Sequence, residues 1–166
     1  MHAQEVDGQD STKALAAALG RIPSGLFVLT VRHGRSETGM LASWVQQCSF
    51  EPPQLTAAVN TQRHWVSWLA IGTAFTVNVL GEGQKHLLAH FGKGFEANQT
   101  PFDGIQLLRL GEGAPALRDA LAYLDCRVTA LVPAGDHLLV VGRIESGQVL
   151  HEGRPTVHVR KSGMHY

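Results

Sequence analysis

Short runs along the chain alternate apolar and polar residues, which is the pattern of β-strands. The run Leu26–Val31 leads into the polar stretch His33-Gly34-Arg35 and then into Ser36–Ser43, and together these predict a hairpin. Further strands are predicted at Leu55–Val59, Phe75–Leu80, Leu121–Val132 and Leu138–Ile144, with one or two more within Val149–Val159. The last two long runs, joined by Pro133–His137, predict a second and longer hairpin.

Three short segments have helical character instead. Ser11 is the predicted N-cap of an alanine-rich helix over Lys13–Leu19, which Gly20 and Pro23 end. Apolar residues at a spacing of three to four predict a short helix at Trp65–Leu69, and Leu87, Leu88 and Phe91 form the inner side of another at Gln84–Phe91.

About seven strands joined by turns predict a mainly β fold, because parallel strands would need long crossover connections. We expect an antiparallel sheet that closes into a barrel with short peripheral helices, since closure removes unpaired strand edges. Residues 1–10 are acidic and are expected to be a flexible terminus, and residues 11–166 are expected to form a single domain.

Composition narrows the class of protein. The 166 residues are 44% hydrophobic and 17% charged, and 14 basic residues balance 14 acidic ones, which argues against a sequence-independent nucleic-acid binder. The chain lacks an apolar run long enough to cross a membrane and a signal-peptide core. Two distant cysteines, Cys48 and Cys126, do not support a disulfide framework. We therefore expect a cytoplasmic protein.

Motifs of the common nucleotide-binding and hydrolase folds are absent: there is no Walker loop, no G-x-S-x-G turn and no G-x-G-x-x-G after a strand. His86 and His90 share one side of a predicted helix, but the intervening acidic base and a clear third ligand are missing, so we predict no metal site. Gly92-Lys93-Gly94 is either a helix exit with a solvated lysine or a contact to a phosphate.

The segment from Gly39 to Pro53, Gly-Met-Leu-Ala-Ser-Trp-Val-Gln-Gln-Cys-Ser-Phe-Glu-Pro-Pro, resembles that of the flavin-reductase-like, FMN-binding split-barrel family. Phe75–Leu80 and Gly135-Asp-His137 resemble two further segments of that family, in the same order. The resemblance covers roughly residues 17 to 166. It implies an antiparallel split β-barrel of Greek-key type, working as a homodimer with a flavin in a groove at the subunit interface.

Within the family, the chain is most similar to the flavin-reductase module of cyanobacterial flavodiiron proteins. The residues that carry this similarity are Leu19–Ile22, Gly39–Val45 and the ending Lys161–Tyr166. The sequence contains no metallo-β-lactamase or flavodoxin portion. The di-iron chemistry of those proteins is therefore not expected from these residues.

The resemblance implies a flavin-binding role for one continuous stretch. Small side chains would let the backbone approach the ring edge, while Trp44 would cover its hydrocarbon. A packing role in strands and turns is the alternative for each of these residues. They are Ala42, Ser43, Trp44, Val45, Gln46, Cys48 and Ser49.

The phosphate of FMN needs charged donors, and Arg63 at the start of a predicted helix is the main candidate. A solvated arginine at a helix start is the alternative. Gln62, His64 and Lys93 are further candidates, and Asn60 is expected to shape the turn.

His137 matches the family's hairpin histidine, which the resemblance places near the nicotinamide or the open side of the flavin. Hydride transfer requires no proton-carrying base, so His137 is expected to orient or stabilise charge. The predicted activity is reduction of FMN, or alternatively FAD, by NADH or NADPH, with electrons passing to free flavin, a redox partner protein or oxygen. An electron-transfer flavoprotein without a nicotinamide, or a non-catalytic flavin or heme binder, is the rival hypothesis.

Overall fold

The alternating runs become strands in the structure, a computed structural model that describes residues 8–164. Its strands are β1 (Ser24–Gly25), β2 (Phe27–His33), β3 (Ser36–Ala42), β4 (Val45–Phe50), β5 (Pro53–Asn60), β6 (Ala74–Val79), β7 (Leu107–Leu108), β8 (Ala116–Leu117), β9 (Ala122–Ala134), β10 (His137–Val149) and β11 (Val157–His158). Its helices are α1 (Gly8–Leu19), α2 (Lys85–Gly92) and a short 3-10 helix at His64–Trp68.

Seven strands form one antiparallel sheet in the order β3-β2-β6-β9-β10-β5-β4. Its two edge strands, β3 and β4, are consecutive in the chain and are separated only by Ser43 and Trp44. Two residues span less than about 10 Å even when extended, so the sheet must curl until its edges nearly meet. This is a barrel that is split between β3 and β4, and the mainly β, split-barrel prediction is confirmed.

The inside of the barrel is apolar. Each strand contributes alternate residues, because successive side chains point to opposite sides of a sheet. Leu29 and Val31 of β2 meet Phe75, Val77 and their neighbours on the other strands. The thiol of Cys126 lies in the same cluster, and burial raises its pKa to about 12. This cysteine therefore packs as a small apolar residue and is not a nucleophile at neutral pH.

The outer side of β2 and β6 is buried as well. Val28 packs with Leu87 and Phe91 of helix α2 and with Leu117 of β8. Full burial of each such side chain contributes about 1.5–3 kcal/mol. Because both sides of β2 are covered, its sequence is a nearly continuous apolar run and not a strict alternation.

Polar side chains on this outer side are satisfied by the segment that crosses it, residues 114–117. The Thr30 hydroxyl donates to the carbonyl of Pro115 at 2.5 Å, and the Thr76 hydroxyl donates to that of Ala114 at 2.8 Å. Asn78 accepts a hydrogen bond from the amide of Leu117 at 2.7 Å and donates to the carbonyl of Val28 at 3.0 Å. These bonds hold the segment against the sheet.

Contacts divide the chain into two compact units, of which Gly25–Thr156 contains the seven-stranded sheet. Among the described residues, the other combines 8–24 with 157–164. In it, the carbonyl of Ala16 in α1 accepts hydrogen bonds from the amides of Gly20 and Gly163, at 3.0 and 2.8 Å. The expected flexible terminus, residues 1–10, lies mostly outside the described residues, and its last three residues begin α1.

Two details of the sequence interpretation are wrong. Ser11 is not an N-cap, because α1 begins at Gly8 and Ser11 lies inside it. Strand β4 was not predicted, because an edge strand with exposed polar residues shows no alternation. The helix predicted at Gln84–Phe91 is confirmed within one residue as α2, with Gln84 at the N-cap.

In residues 8–164, no helix is both long and apolar enough to cross a membrane.

Candidate functional site

The split of the barrel places Trp44 between its two edge strands. The carbonyl of Trp44 accepts a hydrogen bond from the amide of Ala58 at 3.0 Å, which ties the link to β5. The neighbouring Ala42 and Ser43 are buried, whereas 37% of Trp44 is exposed. The link therefore presents a partly exposed indole next to small, buried residues.

The hairpin between β9 and β10 brings a histidine to this indole. The rings of His137 and Trp44 lie 4.9 Å apart between centroids and are tilted by 51°. Only 7% of His137 is exposed, and its Nδ1 lies 2.7 Å from Oδ1 of Asp136. That hydrogen bond lowers the pKa of Asp136, whose carboxylate is otherwise in solvent. His137 is thus held by a carboxylate on one side and by an aromatic ring on another.

The turn after β5 lies beside the same hairpin, because Asn60 and His137 are directly paired across β5 and β10. The side-chain oxygen of Asn60 accepts a hydrogen bond from the amide of Gln62 at 2.9 Å, and its carbonyl accepts one from Arg63 at 3.1 Å. Such a bond from the Asn side chain to the amide two residues ahead stabilises a tight turn. Asn60 shapes the turn as expected, and the turn carries Arg63.

Arg63 faces a groove of about 620 Å³ beside the end of α2. Lys93, the residue after α2, lines the same groove. In the described part of the chain, no carboxylate forms an ion pair with either cation. The remaining lining residues are mostly polar: His90, Gly94, Phe95, Glu96, Asn98, Gln99, Thr100 and Asp103. The volume falls within the range of about 300–1,000 Å³ that is common for small-molecule sites.

Gly94 also lines this groove, and its backbone lies close to Arg63. Its φ is +72°, a conformation that residues with a Cβ rarely adopt, and an added Cβ would lie 3.3 Å from an Nη atom of Arg63. The guanidinium of Arg63 therefore lies directly against the backbone of the segment that carries Lys93. The two cations, distant in sequence, are brought to one place.

Other predicted site residues lie elsewhere. Gln46 and Cys48 are exposed on β4, where the pairing with β5 shifts register near Cys48, and Ser49 is half-buried beyond it. Cys48 is four positions from Trp44, about 13 Å along an extended strand. Val45 is half-buried and packs against the core of the barrel, and Gln62 is exposed in the turn.

His64 is half-buried, with its ring against Trp68 at 5.9 Å between centroids. It belongs to the 3-10 helix, which has five residues. A helix this short has only a small dipole, so it adds little to anion binding beside Arg63.

The two histidines of α2 make separate contacts. His86 lies 3.2 Å from a carboxylate oxygen of Asp119, and Nε2 of His90 lies 2.7 Å from the carbonyl oxygen of Pro101. Residues 8–164 contain no cluster of three or more potential metal ligands. The contact of His90 holds the segment after α2 against the helix.

Two residues of this region, Asp136 and Thr61, were not singled out individually from the sequence, and Gly94 was considered only as part of Gly92-Lys93-Gly94. Asp136 precedes His137 in the Gly135-Asp-His137 segment, and this adjacency could have suggested a carboxylate that holds the imidazole. Gly94 ends a Gly-Lys-Gly segment, which also marks an unusual backbone. The contacts of Thr61 depend on long-range pairing and could not be predicted from the sequence.

Comparison with known proteins agrees with this geometry. The family model described as "Flavin reductase like domain" matches residues 19–165. The chain belongs to this family. Its resemblance to flavin-reductase-like split barrels is confirmed, and the domain is of the flavoprotein oxidoreductase type that acts on flavin.

One curated relative is diflavin flavoprotein A 1 of Synechocystis sp., which is 40% identical over 154 residues. The match covers 92% of this chain and 27% of that protein, so the chain spans about a quarter of the relative's length.

Solved structures of the same fold extend over nearly the whole chain. The NADH:FAD oxidoreductase SgcE6 of Streptomyces globisporus C-1027 has a TM-score of 0.80 and 28% identity, covering 96% of this chain and 94% of that one. The same oxidoreductase in complex with NAD and FAD fragments has a TM-score of 0.77 and 28% identity, with coverages of 96% and 93%.

Proposed function

We propose that this domain binds FMN at the barrel split and reduces it with NADH or NADPH. The observation that carries the proposal is the contact between Trp44 and His137, 4.9 Å between ring centroids, next to the turn that directs Arg63 into the groove that Lys93 also lines. An aromatic surface and a phosphate-binding groove are the two features that a flavin mononucleotide requires.

The residues present fit this ligand. Arg63 and Lys93 line one groove, and neither is neutralised by a carboxylate of the described residues. Cations in this state can make charge-assisted hydrogen bonds to a phosphate, which are about twice as strong as neutral ones. The exposed indole of Trp44 offers an apolar surface, and the residues beside it, Ala42 and Ser43, have small side chains.

Each of these residues has a distinct role in the proposal. Arg63 and Lys93 bind the phosphate, and Trp44 covers part of the ring. His137 orients the incoming nicotinamide or stabilises negative charge, while Asp136 holds the imidazole through Nδ1. A bound flavin supplies a two-electron acceptor for the hydride of NADH or NADPH. The protein contributes mainly by holding donor and acceptor in a reactive orientation.

The visible spectrum tests the activity. The purified protein is loaded with FMN and mixed with NADH or with NADPH under nitrogen. We expect the absorption band of the oxidised flavin to bleach with at least one of the two donors. A yellow protein that neither donor bleaches would instead be an electron-transfer flavoprotein, and failure to bind FMN at all would favour a binder of another ligand.

Binding constants of two flavins test the phosphate site. Arg63→Ala should weaken FMN binding by about 1.5–3 kcal/mol, the usual contribution of a hydrogen bond to a charged group. Riboflavin has no phosphate, so its affinity should stay unchanged. Arg118→Ala, which removes another exposed arginine, is the matched control. Equal losses for FMN and riboflavin would show that Arg63 acts on the fold and not on the phosphate.

His137→Ala tests the other side of the site. The variant should reduce bound flavin more slowly with NADH while its affinity for FMN stays within about twofold of the original. Loss of FMN binding with an unchanged reduction rate would contradict the orienting role of His137.

We also propose that the domain works as a homodimer, with β4 near the contact between subunits. Strand β4 is an edge of the sheet, and its last residue, Phe50, is 88% exposed. An unpaired strand edge with an exposed aromatic residue favours association. Light scattering in solution should give twice the mass of the chain, and Phe50→Ser should shift this mass toward that of the monomer. A monomeric original protein would disprove the proposal.

A further inference from the structure

Thr61 lies in the turn that carries Arg63, and it contacts the hairpin between β9 and β10 that carries His137. Its backbone amide donates a hydrogen bond to the carbonyl of Asp136 at 3.0 Å, and its side-chain hydroxyl donates to the same oxygen at 3.1 Å. A carbonyl oxygen has two lone pairs, so it can accept both bonds at once. The bonds extend the pairing of Asn60 with His137 by one step beyond the end of β5.

We propose that Thr61 is a positioning residue: its hydroxyl fixes Asp136, and through Asp136 the imidazole of His137, relative to the phosphate-binding turn. The inference rests on the proposed function of this site. It adds to that function a physical connection between the residue that binds the flavin phosphate and the residue that faces the nicotinamide.

A continuous series of hydrogen bonds links the turn that carries Arg63 to the imidazole of His137. Arg63 belongs to the turn that Asn60 stabilises, and Thr61 lies between these two residues. Thr61 holds the backbone of Asp136, and the side chain of Asp136 holds Nδ1 of His137 at 2.7 Å. A phosphate bound at Arg63 would therefore order the same short turn that positions His137.

Of the two bonds from Thr61 to Asp136, only the side-chain bond depends on the residue type. The amide of any residue at this position can donate to Asp136, because the register of β5 and β10 brings the two backbones together. A hydroxyl adds a second bond to the same oxygen and restrains the hairpin from a different direction. Since Asp136 is exposed, a carbonyl held by one bond alone has more freedom to move.

Isosteric substitution isolates this hydroxyl. Thr61→Val keeps the volume and branching of the side chain but cannot donate, whereas Thr61→Ser retains the donor. We expect Thr61→Val to slow flavin reduction about two- to tenfold at saturating NADH, the range for one lost hydrogen bond. FMN affinity should stay within about twofold, and Thr61→Ser should react like the original protein.

Thr129→Val is the matched control. Thr129 is an exposed threonine of the same sheet, and its hydroxyl donates to the carbonyl of Val141 at 3.3 Å. Its removal should leave the reduction rate unchanged. An equal loss of rate in this variant would show a general effect on the sheet.

A second measurement does not depend on catalysis. The hydrogen bond to His137 lowers the pKa of Asp136, so an NMR titration of its carboxyl group reports how well the pair is held. Thr61→Val should move this pKa upward, toward the ordinary value for aspartate, and Thr61→Ser should not. An unchanged pKa together with an unchanged rate in Thr61→Val would overturn the proposal, as would equal losses in the Val and Ser variants.

Failure of the proposed function has a different signature. If NADH and NADPH leave the FMN-loaded original protein unbleached, the reductase activity is disproved for every variant. The titration of Asp136 then decides alone whether Thr61 positions the hairpin.

Discussion

Asp125 of β9 is a buried carboxylic acid that is not part of the site. It is 8% exposed, and its Oδ1 has no hydrogen-bond partner among the described residues. Gly113 packs so closely that an added Cβ there would lie 2.9 Å from this oxygen. A buried acceptor without a donor reduces the stability of a fold, so Asp125→Asn, a neutral residue of the same shape, should stabilise the protein.

The magnitude follows from the burial. An unsatisfied buried polar group costs about 1–3 kcal/mol, and more if it is charged. For a protein of this size, each kcal/mol changes the melting temperature by about 2–4 °C. We therefore expect Asp125→Asn to raise the melting temperature at pH 7 by about 2–12 °C.

The effect should depend on pH in a definite direction. Burial raises the pKa of Asp125 from 3.8, Arg127 opposes the rise, and Glu145 adds to it. The folded state therefore holds the proton of Asp125 more tightly than the unfolded state does. The contribution of Asp125 to stability is then largest below pH 3.8 and falls as the pH increases through the raised pKa of the folded state. The Asn variant cannot titrate at this position and should lack this fall.

Urea denaturation of both proteins between about pH 4 and pH 7.5 measures the difference. The advantage of Asp125→Asn should be small at the acidic end and should grow toward neutral pH. Glu82→Gln, at an exposed glutamate, is the control and should show no such trend. A constant difference across this range, or a variant that is less stable at neutral pH, would refute the reasoning.

Three further predictions concern close packing and buried hydrogen bonds. Gly94→Ala should weaken FMN binding but not riboflavin binding, measured by fluorescence quenching, because the new Cβ strains a positive φ and crowds Arg63. Gly142→Ala should destabilise the fold by about 1–3 kcal/mol in urea, because its Cβ would overlap the ring of Phe75. An unaltered midpoint would show that this ring moves aside freely. Thr76→Val should cost about 1–3 kcal/mol by leaving the carbonyl of Ala114 without its donor, and an isosteric variant of full stability would show that another donor replaces it.

Much of the fold could be predicted because its signals are local. The hairpin of β2 and β3, the short helix at α2 and the long hairpin of β9 and β10 were all expected near their observed positions. Helix α2 buries one side, which imposes a period that can be read from neighbouring residues. Strand β2 is buried on both sides, and its apolar run beside a polar turn made it recognisable. Strand β4 was missed because, as a sheet edge, it exposes most of its residues and has no such period.

The candidate site could be predicted only in part for the same reason. Four candidates were chosen by residue type and by their place in recognisable segments. The structure places Trp44 against His137, and it places Arg63 and Lys93 in one groove. Cys48 and Ser49 belong to the same segment as Trp44 but lie farther along β4. Residues of one continuous motif can lie both inside and outside a site. Membership of the motif therefore does not by itself show that a residue contacts the ligand.

Local sequence determined which stretches of this protein become strands, where they turn and which residues we propose as contacts for a flavin and its phosphate. Only the tertiary structure decided that β3 and β4 face each other across a split, that Arg63 lies against Gly94, and that Thr61 reaches Asp136. The physical reason is the range of the interactions. Backbone conformation and alternation act over a few residues, whereas the pairing of β5 with β10 joins residues 77 to 89 positions apart and depends on the register of the whole sheet.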